Sequence, residues 1–243
     1  MTQSTQVAIP GNIPLPARLQ TPGAAAEIAA ANAAAAGGIK IGGFPSISIK
    51  AGKFHEKEGG ELKTYMQPAL TGQPALPLQC LEAVIVDANP ALTKTYYPGD
   101  YVEGSQDEPT CRSSNGITPD ADVVAKQHDV CATCKQNQWG SKISKLSAKE
   151  IKACDDQKQL AILPAADLSY KALGLTIGKG SISNWGKYIR ALDGRGIPVK
   201  EIVTNITFDA TATGVLQFAF NRYLTDEESA RARSLSGRQI AFP

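Results

Sequence analysis

The sequence predicts a mainly β domain with a cysteine-bearing block inserted between its strands. Short stretches of alternating or branched apolar residues recur between residues 44 and 220, and turn residues separate them. Four of the five cysteines lie between Cys111 and Cys154, in a stretch whose Pro, Gly, Asn and Asp residues are typical of loops. Helical spacing is confined to two segments near the C-terminus. This pattern favours one β-rich core with minor helix.

Seven stretches have the pattern of strands. From Ile47 the chain alternates apolar and polar residues, as a half-buried strand does. The most apolar stretch of the first half ends at Asn89-Pro90. The predicted strands cover residues 44–50, 53–60, 78–87, 159–163, 168–175, 198–209 and 215–220. Gly214 and small residues separate the last two, which predicts a hairpin.

Two segments carry helix signals. Residues 181–192 place apolar side chains on one face, and Ser181 or Ser183 is the expected N-cap. The predicted apolar face consists of Ile182, Trp185, Ile189 and Leu192. Thr225 and Glu228 form a capping box that begins a final helix.

The predicted organisation has three parts. Residues 1–38 are rich in Ala, Gly, Pro, Gln and Thr and form a flexible leader. Residues 39–225 form the core, and residues 105–157 are the cysteine-bearing insertion. Residues 226–243 form the C-terminal helix and tail.

Charge and hydropathy narrow the classes of function. The net charge is +2, but residues 53–125 carry −6 and residues 126–200 carry +7. This separation favours a basic face, although lysines scattered over a solvated surface would give the same totals. No apolar run is long enough to span a membrane, and the N-terminus has no signal-peptide pattern. We therefore expect a cytoplasmic protein whose clustered cysteines bind metal.

The cysteine spacing predicts a structural zinc site. Cys131 and Cys134 form a Cys-x-x-Cys turn, and Cys111 and Cys154 each lie nineteen residues beyond it. Thiolates select zinc over hard cations, and four of them complete its tetrahedron. The alternatives are a redox pair, disulfides or unpaired core thiols. His128 could also replace one of the cysteines.

Enzyme chemistry is not indicated. The sequence has no phosphate-cradling loop, no paired carboxylates in a motif and no histidine-rich metal cluster. Zinc held by four thiolates has no open position for water or substrate. We therefore expect a binding protein.

Aromatic and basic residues instead favour single-stranded nucleic acid, whose bases stack on exposed rings beside a basic groove. The candidate stacking residues are Tyr96, Tyr97, Tyr101, Trp139 and Tyr188. The candidate phosphate partners are Lys94, Lys142, Lys145, Lys187 and Arg190. Core packing is the alternative for any of the tyrosines and is expected for Trp185. Trp139 lies in a polar loop, where it is either exposed or packed over the metal.

A set of short motifs resembles a family of tailed-phage proteins over residues 39–225. The motifs are Phe44-Pro45, Lys94-Thr-Tyr-Tyr97, Cys111-Arg-Ser-Ser-Asn-Gly116, Cys131-Ala-Thr-Cys134, Trp139-Gly-Ser141, Ala153-Cys154, Leu160-Ala-Ile162 and Val203-Thr-Asn-Ile-Thr-Phe208. Members with an assigned role are single-stranded DNA-binding proteins, similar in plan to the T-even phage helix-destabilising protein.

The resemblance implies a more specific fold and function. The core would be an OB-fold-like barrel with an inserted zinc-binding subdomain. The four cysteines of the insertion would be the zinc ligands. A cleft lined by aromatics and lysines would bind single-stranded DNA without sequence preference, during phage DNA replication or recombination. Its partners would be phage replication or recombination proteins in the host cytoplasm.

Two other functions fit parts of the sequence. A structural or virion-associated zinc protein would contact other proteins rather than DNA. A zinc-ribbon regulator would read duplex DNA, but no helix here has the basic face of a recognition helix.

Overall fold

The structure, a computed structural model, describes residues 45–59, 61–68, 74–99, 108–145, 148–212 and 214–235. They belong to one compact unit, Gly42–Pro243. The predicted leader, Tyr101 and residues 236–243 lie outside them. Within the described residues, no helix is both long and apolar enough to cross a membrane.

The described residues form twelve strands and two helices. The first six strands are β1 (Ser46–Lys50), β2 (Lys53–Glu58), β3 (Glu61–Thr64), β4 (Cys80–Ala88), β5 (Thr93–Tyr96) and β6 (Cys111–Ser113). The other six are β7 (Lys142–Ile143), β8 (Glu150–Ile151), β9 (Cys154–Pro164), β10 (Leu173–Ile177), β11 (Ile202–Phe208) and β12 (Leu216–Tyr223). The helices are α1 (Lys179–Asp193) and α2 (Asp226–Leu235).

The protein is mainly β, and most of its strands form one sheet that curls into a half-barrel. The order across the described sheet is β12-β11-β4-β9-β10-β1-β2-β3. Neighbouring strands are antiparallel except β1 and β10. Phe54 of β2 and Phe208 of β11 have ring centroids 4.4 Å apart, although several strands separate them in the sheet order. The sheet must therefore curve around a shared interior.

The core has two layers. The inner face of the curl packs branched and aromatic side chains from most strands against Trp185, Tyr188 and Leu192 of α1. The opposite face is smaller and packs around Val84, Val203 and related residues, with Ala232 of α2 against them. Each helix thus covers one face of the sheet, which explains why β4 and β9 are apolar on both sides.

β9 links the core to the cysteine-bearing residues. Its C-terminal half pairs with β4 on one edge and β10 on the other. Its N-terminal half pairs with β5, which in turn pairs with β6. The sequence predicted only the buried half of β9, because residues 155–158 in the first half are all polar or charged and carry no strand pattern. β5, β6 and β9 therefore continue the sheet into the predicted insertion.

The hairpin and the second helix confirm two predictions. β11 and β12 pair antiparallel, with Phe208 opposite Leu216. The capping box also forms, because the Thr225 N–H donates to Glu228 Oε2 at 2.8 Å and the Glu228 N–H donates to Thr225 Oγ1 at 3.3 Å.

The predicted N-cap of the first helix is wrong. α1 begins two residues before Ser181, with Gly178 at the N-cap and no side-chain capping bond. Ser181 is buried, and its Oγ accepts a hydrogen bond from the Leu216 N–H at 2.8 Å. Its hydroxyl thus joins the helix to β12 instead of satisfying the helix terminus.

Candidate metal centre and nucleic-acid surfaces

Cys111 and Cys154 occupy one row of the sheet extension. Cys111 begins β6 and Cys154 begins β9, and each is the register partner of Tyr96 in the strand between them. Directly paired residues project from the same face of an antiparallel pair. The two cysteines therefore share a face, separated by two strand spacings, about 10 Å between Cα atoms.

Cys131 and Cys134 approach that row from a turn. The Cys131 N–H donates to the Ile117 carbonyl at 2.8 Å, and the Cys134 N–H donates to the Cys131 carbonyl at 3.3 Å. The Asn137 amide then donates to the same Cys131 carbonyl at 2.8 Å. Both cysteines are buried. These hydrogen bonds, the last of them donated by the Asn137 side chain, hold the Cys-x-x-Cys segment in a tight turn, as the sequence indicated.

All four cysteines line one small cavity. Its volume is about 20 Å³, which is room for about one water-sized body. Tyr96, His128 and Asn137 also contribute to its wall. The cysteines are free thiols, so the disulfide alternative is absent from this structure.

Burial governs the chemistry of the Cys154 thiol. Desolvation raises the pKa of Cys154 to about 11, and the neighbouring Cys131 and Cys134 thiols act in the same direction. The positive charge of Lys94 acts in the opposite direction and lowers the pKa of Cys154. Cys154 is therefore a protonated, unreactive thiol at neutral pH unless a cation neutralises it.

Among the described residues, no three His, Cys, Asp or Glu side chains form a group close enough to hold a metal ion. The strand register offers a reason, because the Tyr96 side chain lies between those of Cys111 and Cys154. The donor set suits zinc in its chemistry: four thiols from three chain segments facing one cavity. The spacing of the thiols in this structure is wider than a closed tetrahedral site.

A charge network lies beside the cavity. Lys94 and Lys152 both form ion pairs with Asp156, and both ammonium groups donate to Asn137 Oδ1 at 3.2 Å. These contacts lower the pKa of Asp156 in spite of its partial burial. The Lys94 side chain is only 14% exposed. Its predicted role as a phosphate partner does not fit, because its charge is already paired within the protein.

Trp139 lies in a surface loop that several hydrogen bonds hold in place. Its side chain is 75% exposed. Of the two alternatives that the sequence left open, exposure and packing over the metal, the structure has the first. Ser141 Oγ donates to the Gln138 carbonyl at 2.7 Å and accepts from the Ala153 N–H at 2.9 Å. Gly140, with φ +82°, permits the sharp turn between Trp139 and Ser141. The loop is thereby fastened to the segment that leads into β9.

Basic residues surround this loop. Residues 126–152 carry a net charge of +4. Lys142 lies in β7, three residues after Trp139, and its Nζ donates to the Gly99 carbonyl at 3.2 Å. Lys145 follows in the exposed β7–β8 connection. The exposed ring and these two predicted phosphate partners therefore lie on one short segment.

The tyrosine candidates divide into different environments. Tyr97 is exposed, whereas Tyr96 lines the cysteine cavity. Tyr188 is buried, and its hydroxyl forms a hydrogen bond with Thr204 Oγ1 at 2.9 Å. Its ring is packed in the core against Phe218, which is the core-packing alternative to the predicted stacking role of Tyr188. The other tyrosine candidate, Tyr101, lies outside the described residues.

The structure adds two aromatic residues that the sequence interpretation missed. Phe220 and Tyr223 of β12 are exposed and in edge-to-face contact. They lie on the side of the sheet that α1 covers, where the predicted partners Lys187 and Arg190 are also exposed. The signal was the aromatic alternation at residues 218 and 220, which we interpreted only as strand packing.

Comparisons with protein-family models, with curated proteins and with solved structures found no match to this chain.

Proposed function

We propose that this protein binds single-stranded DNA without sequence preference. The observation that carries the proposal is Trp139, a largely exposed indole in a loop held by several hydrogen bonds and flanked by Lys142 and Lys145. An exposed indole ring keeps its apolar surface in water and so contributes little to the stability of the fold. A base stacked on the ring would bury that surface. Holding the ring in place reduces the entropy cost of stacking.

The resemblance to tailed-phage proteins supports a role in phage DNA replication or recombination. In that role the protein would coat exposed strands in the host cytoplasm and meet other phage replication or recombination proteins. An OB-fold-like barrel with a zinc-bearing insertion is the matching fold proposal. The curled half-barrel and the continuity of β5, β6 and β9 with the cysteine turn are compatible with it.

We also propose a structural zinc ion bound by Cys111, Cys131, Cys134 and Cys154. Their shared cavity and their thiol chemistry support this proposal. Binding requires the four sulfurs to move closer together. The ion would cross-link the turn to β6 and β9, and so hold the neighbouring Trp139 loop.

The test is binding of a fluorescein-labelled oligo-dT, measured by anisotropy at low and moderate salt. We expect Trp139→Ala to weaken binding by about 5- to 150-fold, which corresponds to the loss of one stacked base at about 1–3 kcal/mol. Ile143→Ala is the matched control, because Ile143 is a comparably exposed apolar residue near the same loop. It should leave the affinity unchanged.

Salt provides an independent measurement. For single strands, the log–log slope of affinity against salt is about −0.7 for each phosphate neutralised. Lys142→Gln should therefore make the slope shallower by about 0.7. A wild-type protein that binds no oligo-dT at low salt would overturn the proposal and favour a protein-binding role.

A further inference from the structure

The β12 edge of the sheet carries an exposed aromatic pair. Phe220 is 42% and Tyr223 is 58% exposed, and their ring centroids are 5.2 Å apart at an interplanar angle of 69°. Phe220 lies two residues beyond Phe218, whose ring contacts Trp185 and Tyr188 of α1. The pair thus continues an aromatic row that begins in the core.

The two ends of the described sheet differ in the side chains that they expose. An exposed edge strand normally carries charges, proline or a bulge that prevent unwanted pairing. β3, at one end, has Glu61 and Lys63 on its exposed surface. β12, at the other end, exposes Phe220 and Tyr223 and has a register shift around Asn221. Two exposed rings at such a position suit a ligand that covers them.

The helix beside this strand supplies unpaired positive charge. α1 follows β12 closely: Asn184 donates to the Leu216 carbonyl at 2.9 Å, and Tyr188 reaches Thr204, the register partner of Phe220. Lys187, Arg190 and Arg195 are exposed on the helix and its C-terminal turn. Within the described residues, none of these three side chains forms an ion pair or a hydrogen bond.

We propose that Phe220 and Tyr223, with the α1 cations, form a second binding surface for single-stranded DNA. The inference rests on the proposed function and assigns to it a surface separate from the Trp139 loop. Bases would stack on the two rings, and the phosphates between them would meet Lys187, Arg190 and Arg195. Uncompensated cations beside exposed rings complement a polyanion with planar bases.

A second copy of this chain fits the surface less well. Pairing two β12 edges would bring the cations of both α1 helices together, and the one acidic residue of the helix, Asp193, offsets only part of that repulsion. The register shift at Asn221 also interrupts the regular ladder that edge pairing would need. Charge complementarity therefore favours a nucleic acid as the occupant.

The decisive variant is Phe220→Ala/Tyr223→Ala in the full-length chain. We expect oligo-dT binding to weaken by about 10-fold or more, since each base stack lost corresponds to at least a few-fold change in affinity. Leu62→Ala on β3 is the matched control, because Leu62 is also an exposed apolar residue at a sheet edge. Both variants should retain the wild-type melting temperature.

Crosslinking tests the surface without any variant. An oligonucleotide that contains 5-iodo-deoxyuridine should crosslink to Tyr223 or Phe220, and peptide mass spectrometry would locate the bond. Wild-type affinity of the double variant, with weakened binding by Trp139→Ala, would overturn this inference and leave the proposed function intact. A change in sedimentation coefficient of the double variant without loss of DNA binding would identify a self-association surface instead. Absence of binding by the wild-type protein would overturn the proposed function itself.

Discussion

The hydrogen bond between Tyr188 and Thr204 gives a sharp test of the core assignment. Both side chains are buried, Thr204 completely, and the hydroxyls lie 2.9 Å apart. Tyr188→Phe removes one hydroxyl and leaves the Thr204 hydroxyl without this partner. An unsatisfied buried polar group costs about 1–3 kcal/mol. The free energy of unfolding should fall by that amount, with the DNA affinity unchanged.

A double-mutant cycle separates the lost bond from other effects. Thr204→Val removes the second hydroxyl and keeps a similar shape, so the double variant has no unpaired group. Replacing both partners of a buried hydrogen bond with apolar groups is close to neutral. We therefore expect the two single substitutions to destabilise the protein and the double variant to recover part of that loss.

The assay is equilibrium unfolding in urea, with oligo-dT anisotropy on the same preparations. For a domain of this size, each kcal/mol corresponds to about 2–4 °C in melting temperature. Unchanged stability together with weaker DNA binding by Tyr188→Phe would refute the reasoning. That result would return Tyr188 to the nucleic-acid surface.

Three further predictions concern stability. Gly116→Ala should lower the free energy of unfolding by more than Gly59→Ala. Both glycines have positive φ, but a Cβ at residue 116 would lie 2.3 Å from the Leu92 carbonyl oxygen, whereas a Cβ at residue 59 would meet open space. Urea unfolding of the two variants measures the difference. The Arg222 guanidinium holds the pKa of Glu228 at about 2, below its unfolded value of about 4.3. Glu228→Ala should therefore cost about 1 kcal/mol at neutral pH, a difference that declines below about pH 4 and is largely lost near pH 2. Metal removal by a chelator should lower the melting temperature, and elemental analysis should find about one zinc per chain; full stability after chelation would exclude structural zinc.

Local patterns were sufficient for the main elements. Alternation predicted β1, the branched run predicted β11, and Gly214 predicted the turn before β12. Thr225 and Glu228 marked the start of α2, since a capping box needs only contacts within one turn. In each case the residues that determine the element also lie within it.

Features that depend on distant residues were not predictable. The parallel pairing of β1 with β10 joins segments that are far apart in the chain. The same is true of the antiparallel pairing of Tyr96 with Cys154. The predicted face of α1 packs on the core, with Trp185 and Leu192 buried and Ile182 and Ile189 partly buried. The most buried positions also include Ser181 and Tyr188, which the prediction left out. The hydroxyls of Ser181 and Tyr188 form hydrogen bonds with β12 and β11. Helical spacing alone cannot predict such contacts with distant strands.

The position of β4 has a consequence for synthesis on the ribosome. Its neighbours in the sheet, β9 and β11, both follow it in the chain, separated from it by the whole cysteine-bearing region. Leu81–Val86, the apolar centre of the sheet, therefore leaves the ribosome well before either strand that will cover its edges. Such a segment is prone to aggregation while it waits. Nascent chains paused before residue 154 should be strong chaperone substrates, whereas chains extended beyond β11 should not.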